Sequence, residues 1–296
     1  MNHKVFLFGT LKRGCPNHDD LDLGPCYVSE ARTIDAFPLY ITDRWYSPVV
    51  VDEAGSGHRV SGELYEVDDK MLARLDALES VGLPRGYRRI TVRIDRKGQE
   101  EPAQIYVKDR EDIEVIHSEE SGTYRDTRYI HHRERTRNGT EVVKDIQFFV
   151  HEPMSHDDVT VRIDSTRPAD HGRAFVPAYS MGVYDNACRV RYGQISLRVG
   201  ETENIVQYAG HIGYGIDPPH RGQHRAAKAC LAIRPLVRRH YLRLIITTDP
   251  NNYASQRTLD RIGARHIETV YVDEDSPTFL IEGSRRKMRY VWDPDE

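Results

Sequence analysis

The sequence predicts an α/β (α+β) protein of two domains, each a mixed sheet with helices. Three observations lead there. At 296 residues the chain is long enough for two domains of roughly 130 to 150 residues, each with its own core. The apolar run Val5, Phe6, Leu7 and Phe8 goes straight into Gly9-Thr10, as a strand covered on both faces does when it ends at a loop with exposed amides. Apolar strand-like segments then restart at Ile146 and lead to GHIGYGIDPPHRGQHRAA over Gly210–Ala227, which reads as a strand, a basic loop and a helix in succession.

Composition bounds the function. With 39% hydrophobic and 30% charged residues and a net charge of −4, the chain suits neither disorder nor binding of nucleic acid through bulk charge. No apolar run approaches the roughly 18 to 20 residues of a membrane span, and Met-Asn-His-Lys leads into a strand-like segment rather than a signal peptide. The expectation is a cytoplasmic protein with neither membrane nor nucleic-acid partners. Cys15, Cys26, Cys188 and Cys230 are widely spaced and form no C-x-x-C pair, so they read as reduced thiols. Cys15 sits near the signature loop but has no evident histidine partner, and it is read as structural.

In the first half, Arg32–Ile41 and Tyr46–Val51 read as strands interrupted by proline and aromatic residues, and Ala54–His58 as a turn. Val60–Val67 alternates apolar and polar positions. Asp68-Asp69 is an N-cap signal for a helix over Lys70–Leu78, whose Met71, Leu72, Leu75 and Leu78 fall at helical spacing and which delivers Glu79 at its end. Arg88–Asp95 and Ala103–Val107 close the sheet. His117, His131 and His132 have no cysteine or carboxylate at ligand spacing, so they read as solvated loop histidines and no metal is expected. The Gly- and Asn-containing TRNGT at Thr136–Thr140 marks a linker, giving domains at 1–135 and 146–296 joined by 136–145.

In the second half, IQFFV from Ile146, Val159–Ile163, Arg191–Val199 and Val206–Ile216 read as strands, followed by the basic loop and a helix over Ala226–His240. The free amides of a helix's first turn and the positive end of its dipole both face the preceding loop, so this segment reads as an anion site that would suit a pyrophosphate. Arg243–Thr248 is a buried strand, and Arg285–Trp292 (RRKMRYVW) a basic terminal one.

Two resemblances rest on these motifs. VFLFGTLKRGCPNH resembles the Y/F-G-T-L-K-x-G-x-x-N-H signature of the γ-glutamylcyclotransferase-like proteins, with Phe8 where Tyr is commoner. LDALES followed by Gly-Tyr-Arg-Arg is similar to the segment that carries their catalytic glutamate, and RYIHHRER at Arg128–Arg135 to the tail of the γ-glutamylamine cyclotransferases. The resemblance implies a barrel-like α/β domain that closes a γ-glutamyl amide to 5-oxoproline and frees an amine. Glu79 would be the proton carrier, the backbone of Phe8, Gly9, Thr10 and Leu11 would grip substrate, Tyr87 would shape the pocket and Arg89 would be structural. Neither cofactor nor metal is implied, because the substrate's own amine is the nucleophile.

Likewise, the basic loop resembles motif A of the GNAT acetyltransferases, with Arg221 and Ala226 at its first and last positions and His224 replacing the central glycine. DPNNYASQRTLDRIGA resembles the segment after the fifth strand of that fold, with Asn252 as the matching asparagine. By this resemblance Ile216, Arg221, Gly222, Gln223, His224, Arg225, Ala226 and Asn252 would bind acetyl-CoA, with His224 crowding the phosphate or shifting the loop. The tyrosine acid of many members is replaced by Leu259, leaving Tyr214, Tyr253, His211 and His220 as proton carriers that spacing does not separate. The combined expectation is a bifunctional enzyme acting on γ-glutamyl amides and amines. The alternatives are an active cyclotransferase carrying a non-catalytic CoA- or metabolite-binding module, and an acetyltransferase carrying a non-catalytic N-terminal binding domain.

Overall fold

The computed structural model describes residues 2–137, 140–150 and 152–295. The chain divides into two compact units, Met1–Arg133 and Glu134–Glu296.

In the first unit, β1 (His3–Leu7), β2 (Tyr27–Phe37), β3 (Leu39–Thr42), β4 (Ser47–Val50), β5 (His58–Val67), α1 (Asp69–Leu78), β6 (Arg88–Arg96), β7 (Gln99–Val107) and β8 (Ile116–Glu120) follow in order. Strands β1-β5-β2-β6-β7 form a closed barrel, and β4-β3-β8 a separate three-stranded sheet. Barrel neighbours are antiparallel except where β1 meets β7 in parallel at Val5 and Gln104. Val5, Leu7, Tyr65, Val67 and Tyr106 from the strands and Leu72 and Leu75 from α1 share one core cluster. The Asp68 side chain accepts the Met71 amide at 2.7 Å, so α1 starts at a true N-cap, worth roughly 1 kcal/mol.

The second unit begins with the short hairpin β9 (Thr136–Arg137) and β10 (Thr140–Glu141), so part of the expected linker is paired; Asn138 and Gly139 of that linker lie outside the described residues. Strands β11 (Met154–His156), β12 (Val159–Arg167), β13 (Ala178–Tyr184), β14 (Arg191–Arg198) and β15 (Ile212–Ile216) form an antiparallel sheet in chain order. After it come α2 (Arg225–Ala232), α3 (Arg234–Val237), β16 (Leu244–Thr248), α4 (Tyr253–Arg261), β17 (Arg265–Tyr271), α5 (Pro277–Glu282) and β18 (Arg286–Trp292), with β16-β18-β17 as a second sheet. The two sheets touch where the His211 amide donates to Ile245 O at 2.8 Å, and β15 and β16 part beyond that point without forming a ladder.

Three segments depart from expectation. IQFFV joins no strand; instead Phe148 packs on the Tyr179 ring and the Phe149 amide donates to the Tyr179 hydroxyl at 2.9 Å. The expected strand Val206–Ile216 is a π-helix over Ile205–Ala209, a break at Gly210 with φ 67°, and only then β15. A left-handed φ ends a helix readily at glycine, and its cost there is small. The long helix Ala226–His240 is interrupted at Ile233, because Pro235 has no amide to continue the ladder and starts α3 instead. No helix among the described residues is long and apolar enough to cross a membrane.

Candidate functional site

The first unit builds its site where β1 ends. Phe8 and Leu11 are buried and anchor the loop, and successive turns follow: Lys12 N to Gly9 O at 3.2 Å, Cys15 N to Lys12 O at 3.0 Å, and Asn17 N to Thr10 O at 2.9 Å. Among the described residues no protein acceptor is found for the amides of Gly9, Thr10 and Leu11, which leaves three donors for a ligand. A Cβ at Gly9 would sit 2.7 Å from Pro48 Cγ, so this position tolerates only glycine without a shift of the proline ring. The Asn17 amide donates to Thr10 Oγ1 at 3.0 Å and to the Tyr129 hydroxyl at 2.9 Å, tying the loop to the RYIHHRER segment.

Glu79 is the C-cap residue of α1, its amide held by Leu75 O at 2.9 Å. The loop after it folds back so that the Tyr87 amide donates to Glu79 O at 3.0 Å, and Tyr87 packs against the cluster that contains Leu11 and Leu75. Burial raises the Glu79 carboxyl to about 7, against the opposing pull of Lys108. Lys108 follows β7, donates to Arg85 O at 2.9 Å and lies 4.7 Å over the Tyr87 ring. Burial also lowers the Lys108 ammonium, while Asp43, Asp112 and Glu79 oppose that. The Tyr87 hydroxyl is raised by burial and further by Glu79 and Asp43, with Tyr129 also within reach of its field. A poised carboxyl, an ammonium, two phenols and a set of open amides therefore share one region.

Sequence reading named Glu79, Tyr87 and Phe8–Leu11 but passed over Lys108, Asn17 and Tyr129. Asn17 and Tyr129 stand inside quoted motifs, in the N-H of the signature and in RYIHHRER, and could have been found there. Lys108 carries no local signal. Arg89 contacts Asp76 at 3.4 Å and Gln104 at 3.2 Å, pinning α1 to β7. Cys15 lines a separate polar hollow with Lys12, Arg13 and Glu63, and burial raises its thiol. The reason given against a metal needs correcting: Asp20, remote in sequence, supplies the missing carboxylate at 3.0 Å from His131 and 3.6 Å from His132, and its other oxygen is held by Arg133 at 2.8 Å.

In the second unit a cavity of about 650 Å³ opens between β15, the basic loop and the starts of α2 and α4. Ile216, Arg221, Gly222, His224, Arg225, Ala226 and Asn252 line it, as do Arg257 and Arg261, which the sequence reading did not single out although they stand one helical turn apart on α4. Gln223, exposed between Gly222 and His224, is not part of the lining. The His224 backbone takes the left-handed conformation, φ 56° and ψ 21°, a region that glycine enters at little cost and a histidine less readily. Arg225 lines the cavity while largely buried: its guanidinium stacks 3.8 Å from the Tyr192 ring and donates to His220 O at 2.8 Å. Asn252 uses its side-chain oxygen to cap α4, accepting the Ser255 amide at 3.1 Å.

Of the proposed proton carriers, Tyr214 lies in the cavity 2.8 Å from Ser255 Oγ, with its hydroxyl raised by burial. His220 also lines the cavity, whereas His211 is fully buried, 3.9 Å from Glu201, and Tyr253 is exposed at the start of α4. Leu259 is buried in the core.

Comparison with known proteins agrees with both halves. The family model for gamma-glutamyl cyclotransferase, AIG2-like, matches residues 5–126, and that for the acetyltransferase (GNAT) domain matches residues 126–265. Gamma-glutamylaminecyclotransferase C of Danio rerio is 36% identical over 116 residues, covering 36% of this chain and 75% of that protein. The Homo sapiens gamma-glutamylaminecyclotransferase is 41% identical over 107 residues, covering 33% of this chain and 69% of that protein. The Bos taurus gamma-glutamylaminecyclotransferase is 38% identical over 107 residues, covering 35% of this chain and 62% of that protein. The chain thus belongs, through residues 5–126, to the gamma-glutamyl cyclotransferase, AIG2-like family, and carries an acetyltransferase (GNAT) domain over residues 126–265.

Proposed function

We propose that the first unit releases an amine from a γ-glutamyl amide by cyclising the glutamyl part to 5-oxoproline, and that the second unit transfers an acetyl group from acetyl-CoA to an amine. One observation carries the first reading. A buried carboxyl raised to about 7 shares Tyr87 with the loop whose Gly9, Thr10 and Leu11 amides have no protein acceptor among the described residues, since Tyr87 feels the Glu79 charge and packs on the cluster that contains Leu11. In the cyclisation, the Glu79 carboxylate takes a proton from the substrate's α-ammonium, whose ordinary pKa is about 8. The freed amine attacks the γ-carbonyl, forming the ring C–N bond, and the Gly9–Leu11 amides receive the oxyanion. Collapse breaks the amide C–N bond as Glu79 returns its proton to the departing nitrogen, and the ring nitrogen gives up its second proton, which leaves with the freed amine as an ammonium ion. The ring closure is intramolecular, which removes the need for an enzyme nucleophile.

For the second unit, the α2 N-terminus, Arg221, Arg257 and Arg261 suit the phosphates of CoA by charge and by open donors. Acetyl-CoA supplies an activated thioester. The neutral acceptor amine forms its N–C bond as the C–S bond breaks; the Tyr214 hydroxyl, 2.8 Å from Ser255 Oγ, gives a proton to the leaving sulfur and regains one from the attacking nitrogen. The test is release of 5-oxoproline from a panel of γ-glutamylamines by the wild type and by Glu79→Gln, beside thiol release from acetyl-CoA with a panel of amines. Turnover that survives Glu79→Gln removes that residue from its role, and no turnover of any γ-glutamyl amide leaves the first unit as a binding domain.

A further inference from the structure

A second hollow, of about 310 Å³, lies beside the acetyl-CoA cavity and shares Tyr214 and Gly215 of β15 with it. The strand register explains why it is there. Met181, Ile195 and Tyr214 stand opposite one another on the face that packs towards α2, whereas Ser180, Ser196 and Gly213 form the next row, on the other face. Gln194 pairs with Gly215 on that same outer face, and the two glycines leave the floor open where side chains would otherwise fill it. Asp164 stands at the β-bulge between Ile163 and Ser165, and it pairs with Arg191 at 3.1 Å at one end of the hollow.

At the other end is Arg198. One of its nitrogens, Nη1, donates to Ala209 O at 3.2 Å and Gly210 O at 2.9 Å, which locks the guanidinium against the end of the π-helix. Its Nη2 lies over Gly213, 3.4 Å from where a Cβ would stand. Among the described residues no acceptor is found for Nε and Nη2, and Arg198 lines the hollow. Burial lowers its pKa, Arg167 adds to that, and Glu282, the carboxylate whose field opposes them, is held by Lys287 at 2.6 Å. With Asp164 neutralised by Arg191, the hollow has a net charge of about +1, fixed in position and short of an anion.

We propose that this hollow is the acceptor subsite of the second unit and that it takes a primary amine bearing a carboxylate, of the amino-acid class, with Arg198 as the residue that reads the carboxylate. Arg198 presents Nε and Nη2 along one edge of its planar fork, the geometry that a carboxylate matches with two parallel hydrogen bonds. The polar hydroxyls of Ser180 and Ser196 and the Gln194 amide line the path to Tyr214 and Gly215, where the acceptor nitrogen meets the neighbouring cavity. The inference rests on the acetyl-transfer reading above, but binding tests it independently of turnover.

The experiment is titration calorimetry of the full chain, saturated with CoA, with the proteinogenic amino acids and their carboxamides as probes, repeated with Arg198→Met, Gln194→Glu and Gln194→Lys. Thiol release from acetyl-CoA is measured in parallel. The expected result is that at least one amino acid binds about tenfold or more tightly than its carboxamide. Arg198→Met should erase that preference while leaving CoA affinity unchanged. Gln194 is exposed on the sheet face, so its replacements keep the fold: Glu should weaken the amino acid and Lys should tighten it, both more at low salt. Equal binding of acids and carboxamides, or charge-independent binding in the Gln194 variants, overturns the proposal. Carboxylate-selective binding without thiol release upholds the subsite and overturns acetyl transfer. Thiol release with neutral amines alone upholds acetyl transfer and overturns the subsite.

Discussion

If burial holds the Glu79 carboxyl near 7, the same burial must show in the stability of the first unit. In the unfolded chain this group titrates near its ordinary value of 4.5; in the folded unit it titrates at about 7. The folded state therefore favours the protonated form. Stability is fully present below pH 4.5 and is lost as pH rises through the folded value, where the carboxylate must be held in a buried place. At about 1.36 kcal/mol for each tenfold change in proton affinity, the interval from 4.5 to about 7 corresponds to ~3 kcal/mol. Glu79→Gln keeps the shape and cannot ionise, so it should match the wild type at pH 4.5 and exceed it by ~3 kcal/mol at pH 8. Urea titration read by hydrogen exchange on peptides from Asp69–Leu78 isolates this unit within the intact chain, and the difference between the two proteins cancels every other titrating group. A difference that stays flat between pH 4.5 and 8 would refute the placement of a buried, reluctant carboxylate at the end of α1, and the proton-transfer role would lose its basis.

Three further outcomes are expected. Lys108→Met removes the charge that pulls Glu79 down, so the acidic limb of kcat/KM for 5-oxoproline release should move to higher pH, with activity falling more at pH 6.5 than at pH 8.5; an unmoved limb means that the two groups are not coupled. Gly9→Ala drives a Cβ into Pro48 Cγ and should cut turnover at least tenfold, and adding Pro48→Ala, which leaves contact only at about the 3.5 Å of Cβ, should restore much of it. His224→Gly relieves a left-handed residue at φ 56° and should stabilise the second unit by about 1 kcal/mol in urea without weakening acetyl-CoA binding by calorimetry; destabilisation would mean that the imidazole makes a supporting contact.

How much of this was legible depended on whether the cause was local. Asp68 and the Met71, Leu72, Leu75, Leu78 spacing specify α1 within ten residues of chain, so the helix and the position of Glu79 could be read directly. Gly9 and the apolar run before it located the loop for the same reason. The misread segments failed where short-range pattern and tertiary context conflict. IQFFV is as apolar as any strand, but its two aromatic rings pack on Tyr179 and His240 instead of entering a sheet. Val206–Ile216 has the composition of one strand, yet Gly210 with its left-handed φ separates a helical turn from β15.

The charges that tune the sites were the least legible part. Lys108 stands 29 residues after Glu79, at the end of a strand that closes the barrel, and nothing in its neighbours marks it. Its influence exists only because β7 returns beside β1 and sets the residue that follows it next to the turn after α1. The basic loop shows the same limit. Arg225 lines the cavity but spends its guanidinium on Tyr192 and His220, and Arg257 and Arg261 join the lining from a helix some thirty residues later. A cation's sequence distance from a motif therefore says little about which charge an anion meets; the face of the element it stands on decides. By that rule Arg198 is the charge that an anion in its hollow would meet, since β14 presents it on the outer face of the sheet with its inner neighbours Ile195 and Leu197 sealed in the core.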